Sequence, residues 1–330
     1  MSADNSTYQI LPDIKNKIEK RLKELELKPK SSINQAIKNK RHLFSSICYT
    51  KTRKKVFFKT LLRNEKHFYL SLLREIKTVK FLTKNLAFKN FNITPYLDGN
   101  IKDSPHWFIH DYIEGDIIGD FYEIHLPYQN KKYIPLIVNN LRALQLIPNP
   151  VVKKIQDAVK EIHVVNYAAY PGLVKEFQDS VKEPNLEIDF NEIYKFLADY
   201  QNYLPRFKKV ITHGDFTLAN HIFSKGKMYL TDWEWVRLDN IASDIAHLWI
   251  QTWLYPQWRK TLLSTFLSSF PNKEQEEFKK TFRLTTVMQS LAEIRWNAQI
   301  CKKKYKKGTI AASEKAIKDA LKGFNCFLQL

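Results

Sequence analysis

Three side chains that can do chemistry lie close together in one stretch of the sequence, VITHGDFTLANHIFSKGKMYLTDWEW. Asp215 is followed five residues later by Asn220, and Asp232 comes directly after the run MYLT. An amide oxygen and a carboxylate are hard oxygen ligands of the kind that Mg²⁺ takes alongside phosphate oxygens. A carboxylate on the preceding loop can orient a hydroxyl nucleophile and accept its proton. The pattern predicts a Mg²⁺ site beside a general base.

A β-hairpin is predicted to bring these residues together. The runs HIF and MYL flank SKGK, which is typical of a tight turn between two antiparallel strands. A short hairpin places the start of its first strand beside the end of its second, so we expect Asn220 and Asp232 to converge on one cation. A single aspartate in a turn is more often a cap or a solvated group. Three polar side chains at this spacing, after VIT and His213-Gly214, favour a functional site.

Three segments of this region resemble one group of enzymes. They are HGDFTLAN at 213–220, LTDWEW at 230–235 and DNIASDIAHL at 239–248. Together they resemble the catalytic core of the aminoglycoside phosphotransferase and choline kinase superfamily, whose fold is protein-kinase-like. The resemblance is dense over about 210–250 and is specific for the superfamily, but it indicates no particular substrate.

The resemblance implies a role for each polar residue of the region. Asp215 would be the catalytic aspartate, and Asn220 and Asp232 would ligate Mg²⁺. Asp244 would hold the catalytic loop in place. The implied reaction transfers the γ-phosphoryl group of ATP (or GTP), bound with Mg²⁺, to a hydroxyl of a small molecule.

A kinase fold also needs a fixed cation that points at the nucleotide phosphates. Lys59 lies in VFFKTL, the third strand-like run after those around 33–37 and 42–50. Glu75 follows in FYLSLLREIKTVKFLTKNL, which is predicted to form a single long amphipathic helix, and it lies beside the apolar face, where it is predicted to hold Lys59. Glu65 is a competing partner that comes just before that segment. A lone strand lysine is usually solvated, but the order of lysine, glutamate, HGD and DWE favours a phosphate contact.

The passage FIHDYIEGD resembles the strand-to-linker segment after which such kinases enter their larger lobe. By that resemblance, the base of the nucleotide would meet backbone groups at His110, Tyr112 and Ile113. Aromatic and aliphatic side chains would pack on the faces of the base.

One turn departs from the superfamily pattern. The connection expected between the first two strands reads IKNKRHLF and contains no glycine, whereas such kinases often carry glycine or small residues over the phosphates. Backbone amides can still cradle a phosphate, and Lys38, Lys40 or Arg41 can supply positive charge. An altered nucleotide preference or weak activity therefore stays open.

The fold expected from these patterns is α+β and bilobal, with a small antiparallel-sheet N-lobe and a mainly helical C-lobe. Residues 1–32 are expected to form a helical extension with an amphipathic helix over 11–27. Residues 33–113 would form the N-lobe, with an antiparallel sheet and one helix. Residues 114–330 would form the C-lobe with the catalytic loop and the hairpin. Its helical stretches are predicted around 130–146, 151–162, 172–182, 189–204, 241–270, 273–305 and 311–328.

The net charge of +19 raises the question of a nucleic-acid partner. The charge is uneven, at +14 over 1–100, −5 over 101–200 and +10 over 201–330. Abundant Lys, Asn, Ile and Phe together are typical of an AT-rich genome, so no specific nucleic-acid partner is predicted. By the resemblance, residues 101–200 contribute to the acceptor wall, and their acidic excess favours a cationic amino sugar or amino alcohol as acceptor.

Composition also bears on class and location. With 44% hydrophobic and 26% charged residues, the chain of 330 residues is not globally disordered. It has no charge-free run of about 18 apolar residues, so no transmembrane helix is expected. The opening MSADNSTYQILPD lacks the features of a signal peptide. Three distant cysteines fit neither a disulfide framework nor a zinc site, which favours a cytoplasmic location.

Two other functions stay open. A kinase of a macromolecular or lipid-linked saccharide acceptor would turn the basic N-lobe to an anionic surface, with peripheral membrane contact. A non-catalytic, nucleotide-binding pseudokinase is suggested by the glycine-free turn, and the intact set of lysine, aspartates and asparagine opposes it. The pattern predicts no oligomeric state.

Overall fold

The computed structural model describes residues 13–63, 65–84, 91–181, 186–200, 202–203, 207–299 and 306–329. The chain divides into two compact units. The first comprises Met1–Gly115, Lys153–Ile162 and Tyr229–Val236, and the second comprises Asp116–Val152, His163–Met228 and Arg237–Leu330. The domain boundaries expected from the sequence, after residues 32 and 113, stay predictions.

The first unit is built on a five-stranded sheet. Its strands are β1 (Lys28–Pro29), β2 (Leu43–Tyr49), β3 (Lys55–Leu61), β4 (Tyr96–Asn100) and β5 (Trp107–Asp111). They lie in the order β1-β2-β3-β5-β4, and each neighbouring pair is antiparallel. The longer strands are rich in aromatic and β-branched residues, which is why the sequence predicted them correctly. The sheet places β3 at its centre.

Three helices accompany this sheet: α1 (Ile14–Glu24), α2 (Ile33–Lys38) and α3 (Lys66–Lys84). The predicted helix over 11–27 is confirmed by α1, within the described residues that begin at 13. The long amphipathic helix after β3 is confirmed by α3, whose buried face includes Leu72, Ile76 and Val79.

The strand predicted around 33–37 is wrong, because this segment forms α2. Ser32 caps the helix by accepting a hydrogen bond from the backbone N–H of Gln35 at 3.4 Å. Ile33 and Ala36 lie three residues apart and are both buried on one helical face. In so short a segment the apolar spacing fits either structure, and the cap decides in favour of the helix.

The two faces of the sheet pack against different helices. Phe44 and Phe58 belong to a buried cluster with residues of α1 and α2, such as Ile18. Leu61 belongs to a second cluster with Ile76 of α3. Since side chains alternate along a strand, every second residue of β3 from Leu61 back points to the α3 side. That alternation places position 59 on the α3 side.

The second unit carries small sheets among its helices. Its strands are β6 (Asp116–Ile117), β7 (Gly119–Asp120), β8 (Glu123–Ile124), β9 (His163–Val164), β10 (Lys209–Thr212), β11 (His221–Ser224), β12 (Lys227–Leu230) and β13 (Arg237–Asn240), with the last two residues of β12 assigned to the first unit. They form the sheets β10-β13-β9, β12-β11-β6 and β7-β8. The predicted hairpin is confirmed, since β11 and β12 are neighbours joined by Lys225-Gly226.

The helices of the second unit match most of the predicted ones. They are α4 (Ile134–Gln145), α5 (Asn149–Ala158), α6 (Tyr170–Ser180), α7 (Phe190–Tyr200), α8 (Ser243–Gln251), α9 (Pro256–Ser268), α10 (Asn272–Gln299) and α11 (Lys306–Lys322), with the later part of α5 assigned to the first unit. The stretch 241–270 is not one helix, because Pro256 begins α9 after a break that follows α8. Within the described ranges, no helix is both long and apolar enough to span a bilayer.

Candidate active site

Lys59 lies on β3, the central strand of the five-stranded sheet. It pairs with Ser45 of β2 on one side and with Phe108 of β5 on the other. Its side chain is only 8% exposed and points to the α3 side of the sheet. A buried ammonium is costly unless opposite charges surround it, so its partners determine what the site can do.

Three carboxylates surround the Lys59 ammonium. Its Nζ lies 2.7 Å from Glu75 Oε2, 2.9 Å from Asp232 Oδ1 and 2.5 Å from Glu234 Oε1. The expected ion pair between Lys59 and Glu75 is therefore present. Glu65 lies instead 4.0 Å from Arg63 Nη1. We call these four residues, Lys59 with its three carboxylates, the Lys59 cluster.

Burial and nearby charges shift the pKa values of Lys59 and Glu75. Burial alone would lower the pKa of Lys59, but Asp232, Glu75 and Glu234 together raise it well above the ordinary value. Burial raises the pKa of Glu75 to about 8, although the nearby ammonium opposes the rise. Lys59 therefore keeps its proton, and its positive charge favours the ionised form of Glu75.

A strained turn presents Asp232 to this cluster. Asp232 has φ 64° and ψ 67°, in the left-handed region that aspartate tolerates better than most residues. The next residue, Trp233, is fully buried, packs edge-on against Phe91 at 5.6 Å and donates from Nε1 to the Leu230 carbonyl at 3.3 Å. The buried indole holds the turn, so the Asp232 side chain stays 45% exposed beside the buried lysine.

The donor set of the cluster fits a hard divalent cation. Carboxylate oxygens of Glu75, Asp232 and Glu234 all lie within 4.8 Å of one another. Three carboxylates face one ammonium, which leaves excess negative charge, and such oxygens are the ligands that Mg²⁺ prefers. Sequence reasoning did not assign Glu234 to the site. Its position two residues after Asp232 in DWE was the available signal.

The residues expected at the base of the nucleotide lie where β5 ends. His110 is the penultimate residue of β5, stacks on Phe57 at 4.9 Å, and its Nδ1 lies 2.9 Å from the Asp111 carbonyl oxygen. Burial lowers the pKa of His110 to about 4, so its ring is neutral. Tyr112 and Ile113 follow the strand and lie beyond its pairing with β3. Their nucleotide contacts stay a prediction.

The glycine-free segment IKNKRHLF does not connect two strands directly. It runs from the end of α2 into the start of β2, and Lys40 takes a left-handed φ of 52°. The Lys40 carbonyl accepts a hydrogen bond from Arg63 Nη2. The short helix α2 thus takes the place of the first predicted strand, because Ser32 starts a helix there, and the segment that was expected to join two strands joins this helix to β2.

The second unit carries the Asp215 loop, residues 213–220. Asn220 donates from Nδ2 to Asp215 Oδ2 and to the Asp215 carbonyl oxygen, both at 2.9 Å. The amide nitrogen therefore faces Asp215, and the amide oxygen is turned away from that carboxylate. Asp215 is 34% exposed, which leaves its carboxylate accessible.

Backbone geometry fixes the start of this loop. Gly214 has φ 80°, a conformation that glycine adopts without strain. The Asp244 carboxylate accepts hydrogen bonds from the backbone N–H groups of His213 at 2.8 Å and of Gly214 at 3.0 Å. Burial raises the pKa of Asp244, and these hydrogen bonds oppose the rise. Asp244 thus holds the loop by its backbone, as the resemblance implied.

One further residue lies against the Asp215 carboxylate. His247, one helical turn after Asp244 on α8, places its Nε2 3.7 Å from Asp215 Oδ1. This nitrogen is buried and has no hydrogen-bond partner among the described residues. The sequence gave His247 no role, since its spacing matches no ligand motif. Its place three residues after Asp244 on a helix was the signal.

The predicted site residues thus fall into two groups. Lys59, Glu75 and Asp232 meet in the first unit, and Asp215 and Asn220 meet in the second. The convergence of Asn220 with Asp232 on one cation stays a prediction.

Comparison with known proteins relates this geometry to a family. A model of the phosphotransferase enzyme family matches residues 50–277. No protein of curated function matches the chain.

Several solved structures share the fold at low sequence identity. An ethanolamine kinase from Plasmodium vivax is 14% identical, with 96% of each chain covered and a TM-score of 0.55. Macrolide 2'-phosphotransferase MphH from Brachybacterium faecium is 11% identical, with 93% of this chain and 98% of that chain covered and a TM-score of 0.59. The GDP complex of aminoglycoside 2'-phosphotransferase-IIIa is 11% identical, with 83% and 89% covered and a TM-score of 0.55. The bilobal, protein-kinase-like α+β fold is confirmed. Because the family model spans more than half of the sequence, this chain belongs to the phosphotransferase enzyme family.

Proposed function

We propose that this protein transfers the γ-phosphoryl group of ATP (or GTP) to a hydroxyl of a small molecule with Mg²⁺. The Lys59 cluster is the observation that carries the proposal. A buried lysine fixed among three carboxylates is a costly arrangement, and a fixed cation with surplus oxygen ligands suits a nucleotide bound with a metal.

In the proposed reaction, Lys59 positions the phosphates of the nucleotide. Glu75 fixes the ammonium from α3, at 2.7 Å, so that little reorganisation is needed when the nucleotide binds. The backbone at His110, Tyr112 and Ile113 would contact the base. The proposal covers both ATP and GTP, since solved structures that share the fold contain GDP, ADP or AMP-PNP.

Asp232 and Asn220 would hold Mg²⁺, and Glu234 is a third candidate from this chain. The excess of carboxylates around Lys59 supports this assignment, because one ammonium balances the charge of only one of the three acidic side chains. When bound, Mg²⁺ neutralises charge on the phosphate oxygens. Asp232 is the most exposed of the three carboxylates and therefore the most available to such an ion.

Asp215 would orient the acceptor hydroxyl and accept its proton. The hydrogen bond from Asn220 Nδ2 to Oδ2 fixes the carboxylate, and its exposure leaves it accessible to a substrate. Placement and electrostatics carry most of the rate enhancement in such transfers. The barrier would thus depend on loop geometry, which Asp244 maintains through the backbone.

The proposed acceptor is a small cationic molecule such as an amino sugar or amino alcohol. The net charge of −5 over residues 101–200 supports a cationic acceptor. The names of the fold relatives include an ethanolamine kinase and aminoglycoside phosphotransferases, although those names speak only for those proteins. We propose a cytoplasmic location.

The test is a phosphotransfer screen of the full chain with Mg·ATP and Mg·GTP. Aminoglycosides, choline, ethanolamine, amino acids and neutral and anionic sugars are compared. Asp215→Asn is tested beside the wild type, and Asp199→Asn, at an exposed position of α7, is the matched control. We expect turnover of one cationic hydroxyl compound, lost in Asp215→Asn and kept in the control. Preference for an anionic sugar would overturn the acceptor class. Lipid-linked saccharides, presented in liposomes, are tested as further acceptors. Nucleotide binding without turnover of any of these acceptors would favour a pseudokinase.

A further inference from the structure

Arg74, which directly precedes Glu75 on α3, joins two distant segments of the first unit. Its Nε donates to the Glu161 carbonyl oxygen at 3.1 Å, and its Nη1 donates to the Glu234 carbonyl oxygen at 2.9 Å. One guanidinium thus links α3 to the backbone of Lys153–Ile162 and to the backbone of Tyr229–Val236. We call this contact the Arg74 bridge.

Lys77 reinforces the bridge from the next turn of α3. Its Nζ lies 2.8 Å from both carboxylate oxygens of Glu161. Their side chains are 27% and 17% exposed, so water screens this pair only in part. Glu161 is therefore held twice, through its carbonyl oxygen by Arg74 and through its carboxylate by Lys77.

The bridge acts on the residues that surround Lys59. Arg74 fixes the backbone of Glu234, whose own carboxylate lies 2.5 Å from Lys59 Nζ. Glu75, the neighbour of Arg74, contacts the same ammonium at 2.7 Å. A shift of α3 relative to the DWE turn would therefore break the bridge and separate the carboxylates that meet on Lys59.

We propose that Arg74 is a positioning residue for the Lys59 cluster, supported by the Lys77–Glu161 pair, and this rests on the proposed function. A planar guanidinium donates in two fixed directions, whereas a lysine ammonium lacks that fork and cannot join both carbonyls in the same geometry. Arg74 sets the position of α3 against the turn that carries Asp232 and Glu234. It does so without contacting substrate.

The second unit offers a matched control. Arg283 of α10 donates from Nε to the Ala320 carbonyl oxygen at 2.6 Å and from Nη2 to the Leu321 carbonyl oxygen at 3.0 Å. Arg283→Lys therefore removes the same kind of fork as Arg74→Lys, in a unit that lacks the Lys59 cluster. A general loss of stability would affect both variants, whereas loss of positioning would affect only Arg74→Lys.

The experiment measures amide hydrogen exchange over α3 and residues 229–236, together with the Kd of Mg·ATP. We expect Arg74→Lys to speed exchange in both segments about tenfold and to weaken nucleotide binding at least fivefold. Arg283→Lys should change neither the exchange in these segments nor the Kd of Mg·ATP, and the comparison is made at a temperature where both variants are equally folded. Equal behaviour of the two variants would overturn the proposal. If the wild type binds no nucleotide, the proposed function fails, and the exchange data still decide the role of Arg74.

A charge exchange guards against a variant that fails to fold. Lys77→Glu and Glu161→Lys are each expected to speed exchange in α3 and to weaken nucleotide binding. The double variant restores an opposite-charge pair and should recover at least half of both losses. Additive losses in the double variant would contradict a positioning role for this pair.

Discussion

Lys59 in the first unit is surrounded by side-chain carboxylates, whereas Asp215 in the second unit lies on a loop whose start is held through backbone N–H groups. The Lys59 side chain is 8% exposed, and its ammonium contacts three acidic groups. The Asp215 side chain is 34% exposed and accepts a hydrogen bond from Asn220. Buried charge makes the first region part of the stability of the fold, while the second can change its charge at little cost in folding free energy. Substitutions in the Lys59 region should therefore lower both stability and turnover, whereas substitution of Asp215 should lower turnover alone.

The largest expected effect comes from Lys59→Met. Removal of the ammonium leaves Glu75, Glu234 and Asp232 together without their cation, and loss of one partner of a buried ion pair costs about 3–5 kcal/mol. Turnover should also fall by about 10²–10³-fold, because a preorganised charge at the phosphates is lost. Urea unfolding and initial rates measure the two effects. Unchanged stability would contradict the account of the cluster.

Asp215→Asn should affect turnover alone. The asparagine keeps the size of the side chain but cannot accept the hydroxyl proton, so the rate should fall by about 10²–10⁴-fold. The free energy of unfolding should change by less than about 1 kcal/mol, since the side chain is part-exposed. Parallel urea titrations of both variants test the separation. A loss of stability as large as that of Lys59→Met would remove the contrast between the regions.

Each region also contains a neutral histidine, half-buried His110 in the first and buried His221 in the second, which predicts acid sensitivity. Burial lowers the pKa of His110 to about 4 and that of His221 to about 3. The unfolded chain binds these protons near pH 6.5, so stability is full above that pH and falls as the pH drops towards 4. His110 alone should account for about 3 kcal/mol of this loss.

His110→Phe keeps the aromatic stack on Phe57. It should remove the part of the acid-induced loss of stability that is due to His110 and leave the part that is due to His221. Urea unfolding at several pH values between 7 and 4 measures both parts. An identical pH dependence in the variant and the wild type would show that His110 is not the titrating group.

The smallest expected effect belongs to His247→Leu. The Nε2 of His247 lies 3.7 Å from Asp215 Oδ1, close enough to restrain the carboxylate without a full hydrogen bond. We expect kcat to fall about tenfold with little change in the KM for nucleotide, and His247→Gln to recover part of the loss. Equal kinetics of the leucine variant and the wild type would remove His247 from the site.

The sequence predicted the hairpin, the long helix α3 and the contact of Lys59 with Glu75, because motif order and hydrophobic spacing are local signals. It missed α2, since a six-residue segment with Ile33 and Ala36 fits strand or helix until the Ser32 cap is considered. It missed the break before Pro256, since apolar spacing continues through it.

The unpredicted site residues depend on contacts far apart in the chain. Glu234 joins Lys59 across 175 positions, and Arg74 contacts the Glu161 carbonyl across 87. Hydrophobic spacing and motif order do not indicate which residues so far apart in the sequence will be in contact. His247 was closer in sequence to a recognised motif, but a histidine on a helix has many ordinary roles.

The central claim is that the carboxylates around Lys59 bind a metal–nucleotide complex, and titration calorimetry with ATP at increasing Mg²⁺ tests it most directly. For the wild type we predict nucleotide affinity that rises with Mg²⁺. Asp232→Asn should lose this dependence, whereas Asp215→Asn should keep it. Equal Mg²⁺ dependence in Asp232→Asn and the wild type, or no nucleotide binding by the wild type, would contradict the claim.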